Sequence, residues 1–361
     1  MKNIKMKISM VFLLIFMLVV GTACGNSNTA SNENSGGNEE SGKDAVKPIE
    51  FKIGHMNSTE HVQHTVKANF AEDVAGLTEE RVTFKIYPGG ALGGPKETYD
   101  NIVNGVMDVG WGLQGYNSGK FPVHSVLQLP FLADGNGESL SIVAQKLYDT
   151  FPEIQKEYSD VKPLWFHAAD PYMIVTKGKA VRSFEDVKGL KLRTPSVEGS
   201  AMIESWGATP VSLPAPEIYD AISKGVIDGG VLPIAAIKDF NLFDVVDYVT
   251  YGNFVTSIFY VVMNEKSWNK IAPEDQANIE KLLGVPMAQK AGAAFDGQKE
   301  KALAESKEAG IEFITLPDAE LQKFKDASSN LADKWISDME AKGIPGQKIY
   351  DEAVKLIQEG K

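Results

Sequence analysis

The side chains that could do chemistry are few and fall in short clusters. His55, His61 and His64, three of the five histidines, lie within ten residues. Imidazoles at i and i+3 share one face of a helix and can ligate a metal. No cysteine or close carboxylate pattern completes the set, and zinc needs three or four converging ligands, so no metal site is read here. His55 alone stays a candidate, as a cleft residue at a strand end. Gly89–Gly94 is a glycine-rich loop ahead of a helix, but it lacks the Lys-Ser/Thr ending of a phosphate loop and reads as a tight turn. Asp108 and Asp228 suggest a carboxylate pair, yet each stands just past a helix in the same local frame, which reads as capping. G-x-S-x-G, H-E-x-x-H and Cys-x-x-Cys do not occur, so no nucleophile, metalloenzyme signature or cofactor is expected. Arg193 remains, between a predicted strand and Pro195. Its fork of N–H donors matches a carboxylate and stays charged at any relevant pH. On its own residues it is either an anion-binding group or a surface cation closing a strand.

The elements that must position these residues begin after an export signal. Lys2, Lys5 and Lys7 precede an apolar run from Met10 to Val20, too short to span a bilayer comfortably, and Gly21-Thr22-Ala23 leads to Cys24, the one cysteine. This arrangement resembles the lipobox of bacterial lipoproteins, which implies a signal peptide over 1–23 and acylation of Cys24. Residues 25–48 are almost all Gly, Asn, Ser, Glu, Ala, Thr and Lys, without an aromatic, so 24–48 reads as a lipidated cysteine with a flexible tether. Such a tether reaches about 25–30 Å from the membrane. The expected location is therefore the outer face of the cytoplasmic membrane. Without the three leader lysines, 33 basic residues face 48 acidic ones. That balance argues against nucleic acid, whose phosphates need basic patches, but leaves room for a small anion held by one local cation.

A duplication organises the rest. Residues 99–110, YDNIVNGVMDVG, and 219–230, YDAISKGVIDGG, agree at seven of twelve positions. Each copy reads as a helix end, a glycine at the C-cap (Gly105, Gly225) and a short strand, after a Gly/Pro-rich loop. A repeat this long means two similar α/β lobes. Phe51–Gly54 and Arg81–Tyr87 read as strands around an amphipathic helix from Val62 to Ala75. The strand–helix–strand order implies mainly parallel sheets with helices on both faces, and ligands outside the strands' carboxyl ends. Those ends carry His55, Trp111, Leu113, Arg193 and Leu232. Leu321, Phe324, Leu331, Trp335 and Met339 form a helical core stripe in the last third.

With those strand ends in hand, the sequence resembles the DctP-type solute-binding proteins of TRAP (tripartite ATP-independent periplasmic) transporters. The resemblance covers about residues 50–355. It rests on Tyr87-Pro88-Gly89-Gly90-Ala91-Leu92-Gly93, Gly105-Val106-Met107-Asp108-Val109, Leu129-Pro130-Phe131, the run Phe184 to Pro195, Trp206-Gly207-Ala208-Thr209-Pro210, Glu217-Ile218-Tyr219 and Gly225-Val226-Ile227-Asp228-Gly229. It implies a two-lobed, periplasmic-binding-protein-like fold with a hinge cleft and a long helix beneath both lobes. Lobe 1 is expected over 49–170 and about 259–295, lobe 2 over 171–258 and about 296–361. It implies an organic acid as ligand, membrane permease subunits as partners, and Arg193 on the ligand carboxylate. Sialic-acid-type members carry polar groups where this chain has Met173, Leu232 and Leu113. Those apolar replacements, with Trp111 and with Ala215 from the loop opening the second copy's helix, imply a monocarboxylate with an apolar or aromatic body. An extracellular enzyme or a ligand sensor on the same scaffold is the alternative, since fold does not fix function.

Overall fold

The computed structural model describes residues 47–360, so the expected leader, Cys24 and nearly all of the tether lie outside the described residues. Eleven strands follow: β1 (Ile49–His55), β2 (Val82–Tyr87), β3 (Val109–Leu113), β4 (Val161–Ala168), β5 (Met173–Thr176), β6 (Lys191–Thr194), β7 (Thr209–Ser212), β8 (Gly229–Leu232), β9 (Tyr248–Tyr251), β10 (Ile258–Asn264) and β11 (Glu312–Thr315). They form two sheets, β2-β1-β3-β10-β4 and β11-β9-β5-β8-β6-β7. Read from β7, the second sheet repeats the first strand for strand, with β11 added at its edge. The β1·β2 and β1·β3 pairs are parallel, as are β6·β7 and β6·β8. The remaining neighbours, β10 in one sheet and β5 in the other, run antiparallel to both flanking strands.

The reversed strands have a topological cause. β4 ends at the seam between lobes, the chain crosses at 169–172, and β5 enters the second lobe from the seam. β9 ends there too, and β10 re-enters the first lobe the same way. A strand that starts at the seam must run against strands that finish at it. Each lobe therefore contains one strand delivered by the other. With β9·β11 also parallel, the second sheet has three parallel pairs against two antiparallel ones, while the first is evenly divided, two and two. β10 is buried along its whole length, as its unbroken apolar run Ile258–Met263 requires of a strand covered on both faces.

The duplication is visible in atomic detail. Gly105 and Gly225 both take φ near +70° (75° and 69°), the left-handed conformation that glycine adopts without strain. Asp108 and Asp228 do not cap their own helices. Each clasps a neighbouring strand: Lys52 N–H donates to Asp108 Oδ2 at 2.8 Å and Lys191 N–H to Asp228 Oδ2 at 2.8 Å. Each aspartate N–H also bonds back to that same lysine's carbonyl, at 3.1 and 2.9 Å. The symmetry noticed in the sequence is a strand clamp.

The helix Val285–Glu308 joins the lobes. Its Asp296 carboxylate accepts the Gly137 and Glu138 N–H groups (2.7 and 2.9 Å), capping the first-lobe helix Gly137–Thr150. Its Gln298 donates to Asp239 of the second lobe at 2.7 Å, and Glu305 pairs with Lys238. The C-terminal part departs from the expected lobe assignment. The stripe from Leu321 to Met339 is broken at Ser329 into helices Asp318–Ser328 and Asn330–Glu340. Phe324 packs on Trp206 and Phe254 in the second lobe (5.0 and 5.4 Å between rings). Trp335, Met339 and the helix Gly346–Glu359 return to the core of the first lobe, with Leu140, Val143 and Leu147. Spacing alone reports that a residue is buried and says nothing of which core buries it. Among the described residues, no helix is long and apolar enough to cross a membrane.

The long helix can approach Gly137–Thr150 only because Gly292 lacks a side chain; a methyl there would overlap the Gly137 carbonyl and the Ser141 hydroxyl. Gly292→Val should destabilise the fold by about 1–3 kcal/mol, the usual range for overpacking, read as a lowered denaturation midpoint with unchanged slope.

Candidate functional site

Strand ends from both lobes converge on one cavity containing about 490 Å³ of empty space, part of it open to solvent. β3 supplies Trp111 and Leu113, and the turn after it Tyr116. β6 supplies Arg193, and β8 Leu232 with Pro233 just beyond. Phe259 enters from β10 and Phe295 from the long helix. The lobe crossing contributes Ala169 and Tyr172. Aromatic and aliphatic carbon makes up most of the wall, as is usual for a small-molecule site.

Arg193 is 3% exposed. Its Nε donates to the Leu213 carbonyl at 3.0 Å and Nη2 to the Tyr116 hydroxyl at 3.1 Å. Among the described residues no carboxylate pairs with it. The Tyr116 oxygen also accepts the Ala215 N–H at 2.8 Å. Having accepted two donors, that hydroxyl keeps its own proton free to donate. Tyr116 belongs to the first lobe and Arg193 and Ala215 to the second, so the arginine is held by both. Close contact at this seam depends on Gly115, whose Cβ would stand 2.5 Å from the Pro195 carbonyl oxygen. Gly230, the register partner of Arg193, gives the side chain space, since a Cβ there would meet Arg193 Cβ at 3.1 Å.

A second polar grouping lines the same cavity and shares no residue with the first. His61 Nδ1 accepts the Gln63 N–H at 3.1 Å, which leaves the ring proton of neutral His61 on Nε2, facing Asp239 Oδ2 at 3.4 Å. Burial drives His61 well below its ordinary value, helped by the nearby Lys67 ammonium. Burial pushes the Asp239 carboxyl up to about 6 against the hydrogen bond from Gln298. Asn57 completes the grouping.

Behind the wall, Trp111 is fixed on every side. Its ring stacks on Phe259 at 5.0 Å and 5°, and Nε1–H donates to His167 Nε2 at 2.8 Å. The buried Lys67 ammonium lies 4.4 Å from the ring centroid and donates to the Gln63 carbonyl at 2.7 Å. Among the described residues no acid pairs with it, and burial lowers its pKa well below the lysine range.

Of the residues expected to bind ligand, Arg193, Trp111, Leu113, Leu232 and Ala215 line the cavity, and His55 and Met173 do not. His55 is turned into the first lobe, its Nε2 2.9 Å from His64 Nδ1. Met173 lies beside Leu232 in register, packed in the second lobe's core. Each is the register partner of a residue that does line the cavity, His55 of Trp111 and Met173 of Leu232, so sharing a strand end and a face does not guarantee reaching the cleft. Tyr116, Tyr172, Asn57, His61, Asp239, Phe240, Phe259 and Phe295 were not read as ligand contacts. Tyr116 carried a signal, three residues past Leu113 at the same strand end; Phe295, in mid-helix, carried none.

Comparison with known proteins adds an independent line. The family model described as bacterial extracellular solute-binding protein, family 7 (DctP) matches residues 53–338. A marine-metagenome TRAP solute-binding protein from an unidentified microbe, specific for aromatic acid ligands and solved with metahydroxyphenylacetate, superposes with TM-score 0.82. It is 29% identical, over 86% of this chain and 99% of its own. A TRAP solute-binding protein of Rhodoferax ferrireducens, with copurified benzoate, gives TM-score 0.82 and 26% identity over 86% and 98%. The 2,3-diketo-L-gulonate-binding periplasmic protein of Escherichia coli (strain K12) is 26% identical over 316 residues, 85% of this chain and 92% of that one.

One acid beside the cavity should control stability. Asp170, at the lobe crossing, is fully buried, and neither carboxylate oxygen has a hydrogen-bond partner. Burial raises it from the ordinary 3.8 to about 7, more than Lys299, 4.0 Å away, offsets. The folded protein thus keeps a proton that the unfolded chain releases, and stability falls as pH rises from about 4 to 7. Asp170→Asn should melt higher than wild type at pH 8, by an amount on the order of a few kcal/mol. In thermal melts across pH the gap should close by pH 4.

Proposed function

Because the chain belongs to the bacterial extracellular solute-binding proteins of family 7, the DctP family, we propose that it captures a monocarboxylate with an apolar or aromatic body and delivers it to the membrane subunits of a TRAP-type transporter. The observation that carries this reading is Arg193: a buried guanidinium, without a carboxylate of its own, in the wall of an otherwise aromatic cavity. A carboxylate would take the free face of the fork and the proton of Tyr116 together, in a place sheltered from water where such bonds are strong. Trp111, Phe259 and Phe295 would cover the body of the ligand. A second carboxylate would find no second cation in the lining and would meet Asp239, and an unpaired buried charge is costly. The aromatic acids bound by two structurally similar proteins support the same class.

Capture couples to lobe closure on this reading. The ligand bridges strand ends of both lobes, and reopening releases it at the membrane. Cys24 is read as the lipid anchor that keeps the receptor there.

Calorimetry with mono- and dicarboxylates of similar size tests the ligand class, the monocarboxylate binding more tightly. Arg193→Ala should weaken that binding by about 3–5 kcal/mol, roughly two to four decades, while leaving the ligand-free melting temperature unchanged or higher, because a buried charge has been removed. Arg193→Lys should restore only part, since a point charge lacks the fork. Tighter binding of the dicarboxylate would refute the class. For the anchor, Cys24→Ser should shift the protein from the membrane fraction to the soluble extracytoplasmic fraction.

A further inference from the structure

The second polar grouping has no role in holding a carboxylate, and one of its members is unsatisfied. Asn57 lines the cavity, is 3% exposed, and neither its Nδ2 nor its Oδ1 has a hydrogen-bond partner. A buried amide left without partners costs roughly 1–3 kcal/mol, so natural structures seldom keep one without a reason. Its backbone is not at fault: the Asn57 carbonyl accepts the Gly89 N–H at 2.7 Å, which fixes the loop that carries it. Asp239 and His61 are already committed to Gln298, to Gln63 and to each other. They set the character of the surroundings, acidic and closed to a second anion. Asn57 sets the vacancy, one donor and one acceptor side by side.

That vacancy discriminates among ligand groups. A carboxylate only accepts, and would leave Oδ1 unmatched in a cavity whose lining also includes Asp239. An ammonium only donates, and a ring amine, neutral but with its lone pair drawn into the ring, accepts poorly; either would leave Nδ2 unmatched. A hydroxyl donates and accepts, and satisfies both atoms at once. We propose that Asn57 reads a hydroxyl on the body of the ligand, so that the solute is a hydroxylated aryl monocarboxylate held at the acid by Arg193 and at the hydroxyl by Asn57. The assignment rests on the monocarboxylate reading above and narrows it. It makes Asn57 a specificity residue: an unsubstituted acid leaves both amide atoms buried and unpaired, and a site built to bond a hydroxyl rejects the analogue lacking it.

The experiment is calorimetric titration of the full chain with benzoate, phenylacetate and their ring-hydroxylated and ring-amino forms, repeated on Asn57→Leu and Asn57→Ser, with melts to verify folding. In wild type one hydroxylated isomer should bind at least about tenfold more tightly than its parent acid and its amino analogue. Asn57→Leu should erase that preference while leaving the parent acid within about threefold, and Asn57→Ser, which keeps a donor and an acceptor, should retain part of it. Parent and hydroxylated acids of equal affinity in wild type, a tighter amino analogue, or an equal loss for both acids in Asn57→Leu would each overturn the hydroxyl assignment and leave the monocarboxylate reading standing. Failure of every aryl acid to bind wild type would overturn both. If Asn57→Leu does not fold, the wild-type series and Asn57→Ser decide alone.

Discussion

The rest of the structure is arranged around a positive charge that has been taken out of water without a counter-charge. Removing a guanidinium from solvent costs several kcal/mol even after relaxation, and Arg193 recovers only hydrogen bonds to a carbonyl and a phenol. A fold selected for stability alone would place an acid beside it or an apolar residue instead. On the proposed function an incoming carboxylate would settle that debt, and its size would set the scale of the affinity. The apolar wall follows from the same constraint: water excluded from the cavity neither screens the charge nor competes for its donors.

The strand exchange makes that charge responsive to the relation between the lobes. Each sheet borrows its reversed strand from the other lobe's chain path, so neither lobe is a continuous segment, and the crossings at 169–172 and 252–257 pass beside the site. Tyr172, on the first crossing, lines the cavity. The long helix ties the lobes at their base through Asp296 and Gln298. Two crossings, the spanning helix and the return of the C-terminal chain to the first lobe after Ser329 connect the lobes, an arrangement compatible with hinge rotation. Tyr116 bonding to Arg193 and Ala215 marks one contact surface of that rotation, and His61 against Asp239 marks another.

Much of this was legible in sequence, for identifiable reasons. The repeated turn at 105–110 and 225–230 announced two like lobes because a left-handed glycine and a strand-clasping aspartate are demanding at the backbone level. The place of Trp111, Leu113, Arg193 and Leu232 in the cavity wall was legible because clefts in such sheets open at the carboxyl ends of the parallel strands. What escaped depended on the third dimension. His55 and His61 are six residues apart and look alike in sequence, yet one faces the interior of the first lobe and the other the cavity. Asp239 and Phe240 end a short helix that bears on the site only because of where the second lobe docks. The reversed strands were not foreseen, because direction in a sheet depends on the side from which the chain arrives. The C-terminal stripe was seen as core and assigned to one lobe, since a periodic pattern carries no address.

Release constrains the design as much as capture. A receptor that closes firmly by itself would exclude its ligand, and one that closes only weakly around the ligand would never present a loaded form. The contacts between lobes at the cavity are modest: a phenol bonded to a cation that also wants a carboxylate, and a neutral imidazole 3.4 Å from an acid. The bond from the guanidinium contributes about 1.5–3 kcal/mol and the long neutral one no more than about 0.5–1.5, so these two contacts hold the lobes together only weakly without ligand. On the proposed reading a carboxylate on Arg193 would add several kcal/mol that only a closed arrangement could realise, and a ligand moves such an equilibrium by its differential affinity for the two states and by nothing else. On the proposed reading, the buried, unpaired arginine would be both the recognition element and the sensor of occupancy: the same missing counter-charge that selects an acid would also make the closed form conditional on having found one.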